Sequence, residues 1–286
     1  MRYIAIILFL FNTAFAQSLF GVVAGDAFDT DAKRYLDSAG ITNQSQRLAF
    51  NVFVKGMKGA GLWSKAAAIY PFMGSAAGPH SLNAKDPRNL DAAYRLTFPN
   101  GAQHDADGIT LNGVNRYANT FLNPKNVTAD SNSFSFGIYN RTNNSGTWCD
   151  IGVASNSATT SSALYIRWSD NNLYGDTYST SNRVIVSNGT NAAGMYLVSR
   201  TSSTSLKVYK NGSQFGTTQT ATNTTRQVNA NMFIGAINSD GIGIFNYANR
   251  NYCFAIIMNT GLSDSEASTL SSLVNALQTS LGRNTY

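Results

Sequence analysis

Few residues in this chain can do covalent chemistry. Glu266 is its one glutamate, His80 and His104 are its histidines, and Cys149 and Cys253 are its cysteines. Hydrolysis of a glycosidic bond takes two carboxyl groups, one acting as nucleophile or base and the other as acid. Two glutamates are not available, so such an enzyme would have to use aspartates. Asp170 with Asp176, or Asp105 with Asp107, are the candidate pairs. A serine triad would draw its base from His80 or His104, and the chain has no Gly-x-Ser-x-Gly elbow. No glycine loop has the lysine or helix-opening context of a phosphate cradle. The cysteines lack the spacing of a thiolate metal site; a single disulfide and two buried thiols are both open. His104-Asp105-Ala106-Asp107-Gly108 looks like a cation loop but lacks the further oxygen ligands that calcium needs. The residues predict no catalytic group, no metal and no cofactor.

Binding chemistry is better supplied. A sugar presents an apolar C–H face and a rim of hydroxyls, so its receptor needs an aromatic ring beside planar polar groups. Residues 167–178 place Arg167, Trp168, Asp170, Asn171, Asn172, Tyr174, Asp176 and Tyr178 in one strand–loop–strand unit. Trp148 and Asp150 are further candidates for the same glycan site. A competing reading makes Trp148 and Trp168 core aromatics and residues 169–172 a plain hairpin turn.

The elements that must position these residues are mostly strands. Segment 194–216 shows the pattern best: Leu206 and Val208 alternate with Lys207 and Tyr209, a period of two. Asn211-Gly212 then supplies the two positive-φ residues of a type I′ hairpin turn. This predicts an antiparallel sheet with one wet face. Phe134, Phe136 and Ile138 alternate with small residues in the same way. Further strands are expected at 147–153, 163–168, 173–178, 182–187, 195–201, 205–210, 231–237 and 251–258. Many short strands with Asn/Gly/Ser/Thr turns predict a sandwich or jelly roll.

Helices are expected at the two ends only. Asp29 or Thr30 caps a first helix that Gly40 stops, and Thr42 caps a second that carries Leu48, Ala49, Val52, Phe53 and Met57 on one face. Residues 63–108 read as an ordered but irregular connector with turn signals at Pro87 and Pro99. Ser263-Asp264-Ser265-Glu266 is a capping box before a stripe of Ala267, Leu270, Leu273, Val274, Leu277 and Leu281.

The 286 residues are 43% hydrophobic, enough for a sizeable core, but only 13% charged, about half the usual share of roughly 25%. Ser, Thr, Asn and Gly fill the gap, as in extracellular or virion-surface β proteins. The net charge of +6 reflects scarce acids, and no basic run exceeds Lys33-Arg34. Nucleic acid, which is drawn by clustered Lys and Arg, is therefore not an expected partner. A preference for anionic glycans or cell surfaces stays open. Residues 1–16 resemble a secretory signal: Arg2, an apolar run from Ile4 to Phe11, and Ala14-Phe15-Ala16 before Gln17. That run is too short to span a bilayer; the rival reading is an apolar anchor buried in a partner. No other segment suits a transmembrane span.

Several segments together resemble laminin-G-like, concanavalin-A-like jelly-roll domains. They are ITLNGVNRYANT (109–120), GMYLVSRTSSTSLKVYKNG (194–212), FIGAIN (233–238) and FAIIMNTGLSDSEAS (254–268). GLWSKAAAIYPF (61–72) and KDPRNLDAAYRLTF (85–98) further resemble a lead-in to such domains in tailed-bacteriophage structural proteins, such as fibre or capsid-decoration proteins. The resemblance implies a two-sheet jelly roll used for surface recognition, often of carbohydrate. The expected organisation is thus a signal-like segment at 1–16, a helical lead-in and connector at 17–87, and the jelly-roll domain at 88–286. The fold class is mainly β, an antiparallel two-sheet sandwich with a small N-terminal helical region and a C-terminal helix. The expected function is a non-catalytic structural and adhesion protein, on a virion surface or secreted, that binds surface glycans as a homo-oligomer or beside other virion proteins. The alternatives are a secreted glycan hydrolase using an aspartate pair and a purely architectural virion component.

Overall fold

A computed structural model describes residues 27–128, 130–156, 160–179, 182–221, 228–240 and 242–286. The signal-like segment 1–16 lies outside the described residues. In chain order the helices are α1 (Thr30–Ser38), α2 (Gln44–Gly59), α3 (Ala77–Ser81), α4 (Pro124–Val127) and α5 (Asp264–Ser280). The strands are β1 (Ala66–Tyr70), β2 (Gln103–Asp105), β3 (Gly108–Thr110), β4 (Ala118–Asn119), β5 (Phe134–Asn140), β6 (Ile151–Ala154), β7 (Ser161–Tyr165) and β8 (Asn172–Thr177). They continue as β9 (Val184–Ser187), β10 (Gly194–Ser202), β11 (Ser205–Lys210), β12 (Ser213–Gln214), β13 (Phe233–Ile234), β14 (Ile237–Ser239), β15 (Gly243–Phe245) and β16 (Asn251–Met258).

The strands form two eight-stranded sheets. One runs β12-β11-β10-β5-β16-β3-β2, with β1 also on β16; the other runs β15-β14-β6-β7-β8-β9, with β13 bridging β4 and β6. Pairing is antiparallel throughout except between β14 and β6. The first sheet packs on the second through Phe136, Ile138, Val198, Val208 and Ile257, which meet Ile151, Val153, Leu164 and Leu173. Gly175 of β8 lets the sheets close: a Cβ there would lie 2.5 Å from Val208, so any side chain would pry them apart. The fold is the mainly β, two-sheet sandwich that the strand pattern predicts, with few helices and one at the C-terminus.

The Asn211-Gly212 turn is as expected, with φ of 53° and 84° and Lys210 paired to Ser213. The wet face is not. Strand β10 is buried on both sides from Gly194 to Arg200, because α2 and α5 cover the outer face of the first sheet. Tyr139, Met195, Leu197, Tyr209, Phe254 and Ile256 share a second core with Phe50, Phe53, Val54, Leu270 and Val274. A period-two pattern whose second face carries Ser135, Gly137 and Tyr139 reads as half-solvated, yet small and aromatic residues equally suit a helix-covered face.

Two helical details also differ from expectation. Asn43, not Thr42, caps α2, accepting from Gln46 N at 3.1 Å. The buried stripe of that helix is Phe50, Phe53, Val54 and Met57, while Val52 is exposed; spacings of three, four and seven select the stripe. Helix α5 carries the expected capping box and ends at Gly282, φ 71°. Within the expected connector, β1 pairs with β16 and joins the first sheet. Its Ala66-Ala67-Ala68 start gives no alternating signal, and only the pairing with Ala255–Met258 makes it a strand.

Candidate functional site

Strands β7 and β8 build the site on the outer face of the second sheet. Side chains alternate across a strand, so Leu164 and Leu173 enter the inter-sheet core while Tyr165 and Tyr174 point away from it. These tyrosines are register partners. The turn from β7 to β8 is held by Asn171 N donating to Trp168 O at 2.9 Å and Trp168 N donating to Asn172 O at 2.8 Å. Asn171 takes φ 64°, a conformation its short amide tolerates better than most side chains. The turn sets Trp168 edge-on to both tyrosines, with centroids 5.3 Å from Tyr165 and 6.5 Å from Tyr174.

The three rings and Arg183 enclose a cavity of about 300 Å³. The Arg183 guanidinium lies 5.8 Å from the Tyr165 centroid and 5.6 Å from that of Tyr174, within the range of cation–π attraction. Its Nη2 is 3.1 Å from Asp176 Oδ2. Asp176 is wholly buried and also accepts from Ser161 Oγ. Burial pushes its carboxyl up to about 6 against the opposing pull of Arg183.

The expected ligand residues divide sharply. Trp168 and Tyr174 line the cavity. Asp170 sits at its rim, accepting from the Tyr174 hydroxyl at 2.5 Å and from Asn172 N at 2.9 Å; these bonds hold its carboxyl below the ordinary range. Arg167 and Asn171 are tied to each other, Nε to Oδ1 at 2.9 Å. Asn172 serves the turn. Tyr178 and Asp150 belong to the interior, contrary to expectation. Tyr178 packs in the inter-sheet core and shares a hydrogen bond with Thr128 at 3.1 Å.

Asp150 instead organises the scaffold below the site. It is fully buried, faces Arg250 Nε at 3.0 Å, accepts from the Tyr252 hydroxyl at 2.7 Å and from Ile166 N at 2.7 Å. Burial raises its carboxyl despite Arg250. Arg250 donates onward to the carbonyls of Thr142, Asn144 and Arg167, and lies 5.4 Å from the Trp148 ring. Trp148 is thus clamped beside this pair and does not line the cavity. The pair anchors the 142–148 loop to the end of β7, which fixes where Trp168 begins.

Tyr165 and Arg183 were not among the expected residues. Tyr165 could have been found from its opposition to Tyr174 once the hairpin register is drawn. Arg183 carries no local signal, because it reaches the cavity from the start of β9.

Other reactive groups are placed away from this cavity. Both cysteines are buried and free, and burial raises both thiols. The two histidines meet, Nδ1 to Nδ1 at 3.0 Å, through α3 and β2 and not through loops. Burial takes His80 down to about 3, well below the range of a general base at neutrality, and also lowers His104. Among the described residues no group of three His, Cys, Asp or Glu gathers as for a metal ion, and no helix is long and apolar enough to cross a membrane. A second depression, about 400 Å³, lies between Arg34, Ser38, Lys85 and Asp86–Arg88. It has no aromatic wall, and its cations are engaged: Arg34 with Asp31 at 2.8 Å, Arg88 with Asp86 at 2.7 Å, Lys85 with Trp63 O at 2.6 Å.

No protein-family model matches the chain, and no curated protein matches it. Solved structures do. A Trypanosoma rangeli sialidase in complex with 2,3-difluoro-KDN is similar at a TM-score of 0.51 and 12% identity, over 79% of this chain and 39% of the sialidase. A mutant of HCR/D is similar at a TM-score of 0.50 and 10% identity, over 73% of this chain and 52% of that one. Domain 4 of AbnA, an extracellular arabinanase from Geobacillus stearothermophilus, aligns at a TM-score of 0.47 and 14% identity over 72% of this chain and 98% of that domain. The chain therefore spans well under two thirds of the sialidase. At such identities the likeness speaks for fold alone: a jelly-roll-like β-sandwich.

Proposed function

We propose that this chain is a non-catalytic adhesion protein, displayed on a virion or secreted, that recognises glycans through the Tyr165–Trp168–Tyr174 cavity. The observation that carries the reading is the cavity itself: aromatic faces set at steep angles around about 300 Å³, with a guanidinium at one side. A pyranose C–H face suits the half-buried indole of Trp168, and hydroxyls suit the polar rim of Asp170 and Arg183. Weak single-site binding becomes adhesion when several copies act together. The apolar segment before Gln17 and the low charged fraction support a place outside the cell or on a virion. A hydrolase using Asp170 and Asp176 is less well supported, since Asp176 is buried against Arg183 and Asp170 is held by Tyr174.

A glycan array probed with the full chain and with Trp168→Ala tests the reading. Loss of an indole contact should weaken binding by about tenfold or more, with near-UV circular dichroism and melting temperature unchanged. Binding that survives the substitution would sink the cavity as the site.

A further inference from the structure

Arg183, the arginine that lines the cavity, differs from the other arginines of this region in what its guanidinium does. Arg250 gives its donors to backbone carbonyls, Arg167 gives its own to two asparagine amides, and Arg200 bonds Thr177 and the carbonyls of Ser202 and Ser203. Each of these fixes a loop. Arg183 has, among the described residues, a 3.1 Å ionic contact to Asp176 Oδ2 and no side-chain hydrogen bond. Its buried Nε has no hydrogen-bond partner, as is also true of Arg250 Nε and Arg200 Nη2, and neither has Asp176 Oδ2; what sets Arg183 apart is that no other group of its guanidinium is hydrogen-bonded among the described residues. The guanidinium is held between two tyrosine rings with about a quarter of the side chain (24%) open to solvent; its Nη2 faces Asp176 and its Nε is buried, so the open part of the fork is the Nη edge turned toward the cavity. Neutral sugars do not require such a fork. A carboxylate does, because its two oxygens match the fork.

Resting on the cavity as a glycan site, we infer that its ligand is an acidic sugar: a pyranose stacked on Trp168 whose carboxylate is read by Arg183. The surrounding charges agree. Asp170 stays ionised at the rim, but its charge is tied to the Tyr174 hydroxyl. Arg167 donates to the amide oxygens of Asn171 and Asn143, which carry no charge, and so adds positive potential. The opposing charge is Asp176, and it is soft. The groups that face it are Arg183 before β9, Arg200 of β10, Ser161 and Tyr165 of β7, and Cys149 before β6. Its carboxyl titrates near 6, so a proton taken up there frees Arg183 for the incoming anion. Affinity for the acidic sugar should fall as pH rises from 5 to 7.5, while affinity for a neutral sugar should not.

Isothermal titration of the full chain with matched probes decides this. The pairs are sialyllactose against lactose and oligogalacturonate against its methyl ester, with a sulfated oligosaccharide as a separate anion, each at pH 5.5 and 7.5. At least one acidic member should bind about tenfold or more tighter than its neutral partner, as expected for one charge-assisted contact. Arg183→Gln should erase that preference, Arg183→Lys should restore part of it, and Asp176→Asn should keep it and remove its pH dependence. Equal binding of acidic and neutral members, both lost in Trp168→Ala, overturns the inference and leaves the glycan cavity standing. A preference for the sulfated probe over both carboxylates overturns the carboxylate assignment. No binding of any probe, or binding indifferent to Trp168→Ala, overturns both. Melting temperatures within a few degrees of the parent exclude misfolding as the cause.

Discussion

Two buried aspartates on the second sheet show how the same side chain serves different ends. Asp150 has both oxygens occupied and an arginine whose other donors reach three carbonyls, so it is a structural knot. Asp176 keeps one oxygen without a hydrogen bond and faces an arginine that is itself uncommitted. The difference is readable in solution. Asp176 is raised from 3.8 to about 6 in the folded chain, so between about pH 4 and 6 the native carboxyl holds a proton that the unfolded one has lost. Stability from this group is complete below pH 4 and declines as pH rises through 6, by about 3 kcal/mol in all. Asp176→Asn cannot ionise, so its stability relative to the parent should grow by roughly that amount from pH 4 to 7. Urea unfolding at steps of half a pH unit checks it; a flat difference would mean that Asp176 titrates like an exposed aspartate. His80, lowered to about 3, works in the opposite sense, since only the unfolded chain protonates it below about 6.5. Comparing variant with parent cancels its contribution.

Among the elements, the β10–β11–β12 unit is the most strictly encoded. Its two-residue turn requires positive φ at Asn211 and Gly212, and Asn211 Oδ1 also accepts from Met195 N at 2.9 Å. Gly212 does more than turn. A Cβ there would lie 3.1 Å from Ser271 Cβ and 3.3 Å from Ser268 Cα of α5, so the hairpin tip is a seat for the C-terminal helix. Helix α5 is further oriented at its N-terminus by Asp264, which accepts from Lys207 Nζ at 2.7 Å and from the Tyr209 hydroxyl at 2.6 Å. Gly212→Ala should therefore destabilise by about 1–2 kcal/mol, from the unfavourable φ and the tight approach together. Equilibrium denaturation measures it, and a change under a few tenths of a kcal/mol would show that the tip and helix move apart freely.

At the scale of the molecule there are three layers: helices, a sheet buried on both faces, and a sheet whose outer face carries the cavity. The helices α2 and α5 shield the outer face of the first sheet, and the cavity lies on the outer face of the second. Phe53 joins these layers, its ring 5.6 Å from Phe254 of β16 in an edge-on contact. Phe53→Ala should cost about 3–5 kcal/mol through the cavity it leaves. The adjacent Val52→Ala, on the solvent side, should stay within about 0.5 kcal/mol. Similar losses for both would mean that α2 does not dock on the first sheet as described. In protein that remains folded, neither change should alter the glycan binding proposed for the cavity, since both lie on the far side of the first sheet.

The sequence by itself determined the features that depend on neighbours in the chain. Strand alternation, the Asn211-Gly212 turn, the Ser263–Glu266 cap and the stripe of α5 follow from steric and hydrogen-bonding preferences a few residues long. It also put Trp168 and Tyr174 together, because a short turn and the first two residues of β8 separate them. Tertiary structure alone decided the rest. Whether a strand's second face meets water or a helix depends on segments far away in the chain, so β10 reads as half-wet and is buried. A carboxylate's exposure depends on what packs over it, so Asp150 and Asp176 lie inside while Asp170 stays out. Arg183 joins the cavity only because β9 is laid beside β8, a pairing that no local pattern specifies.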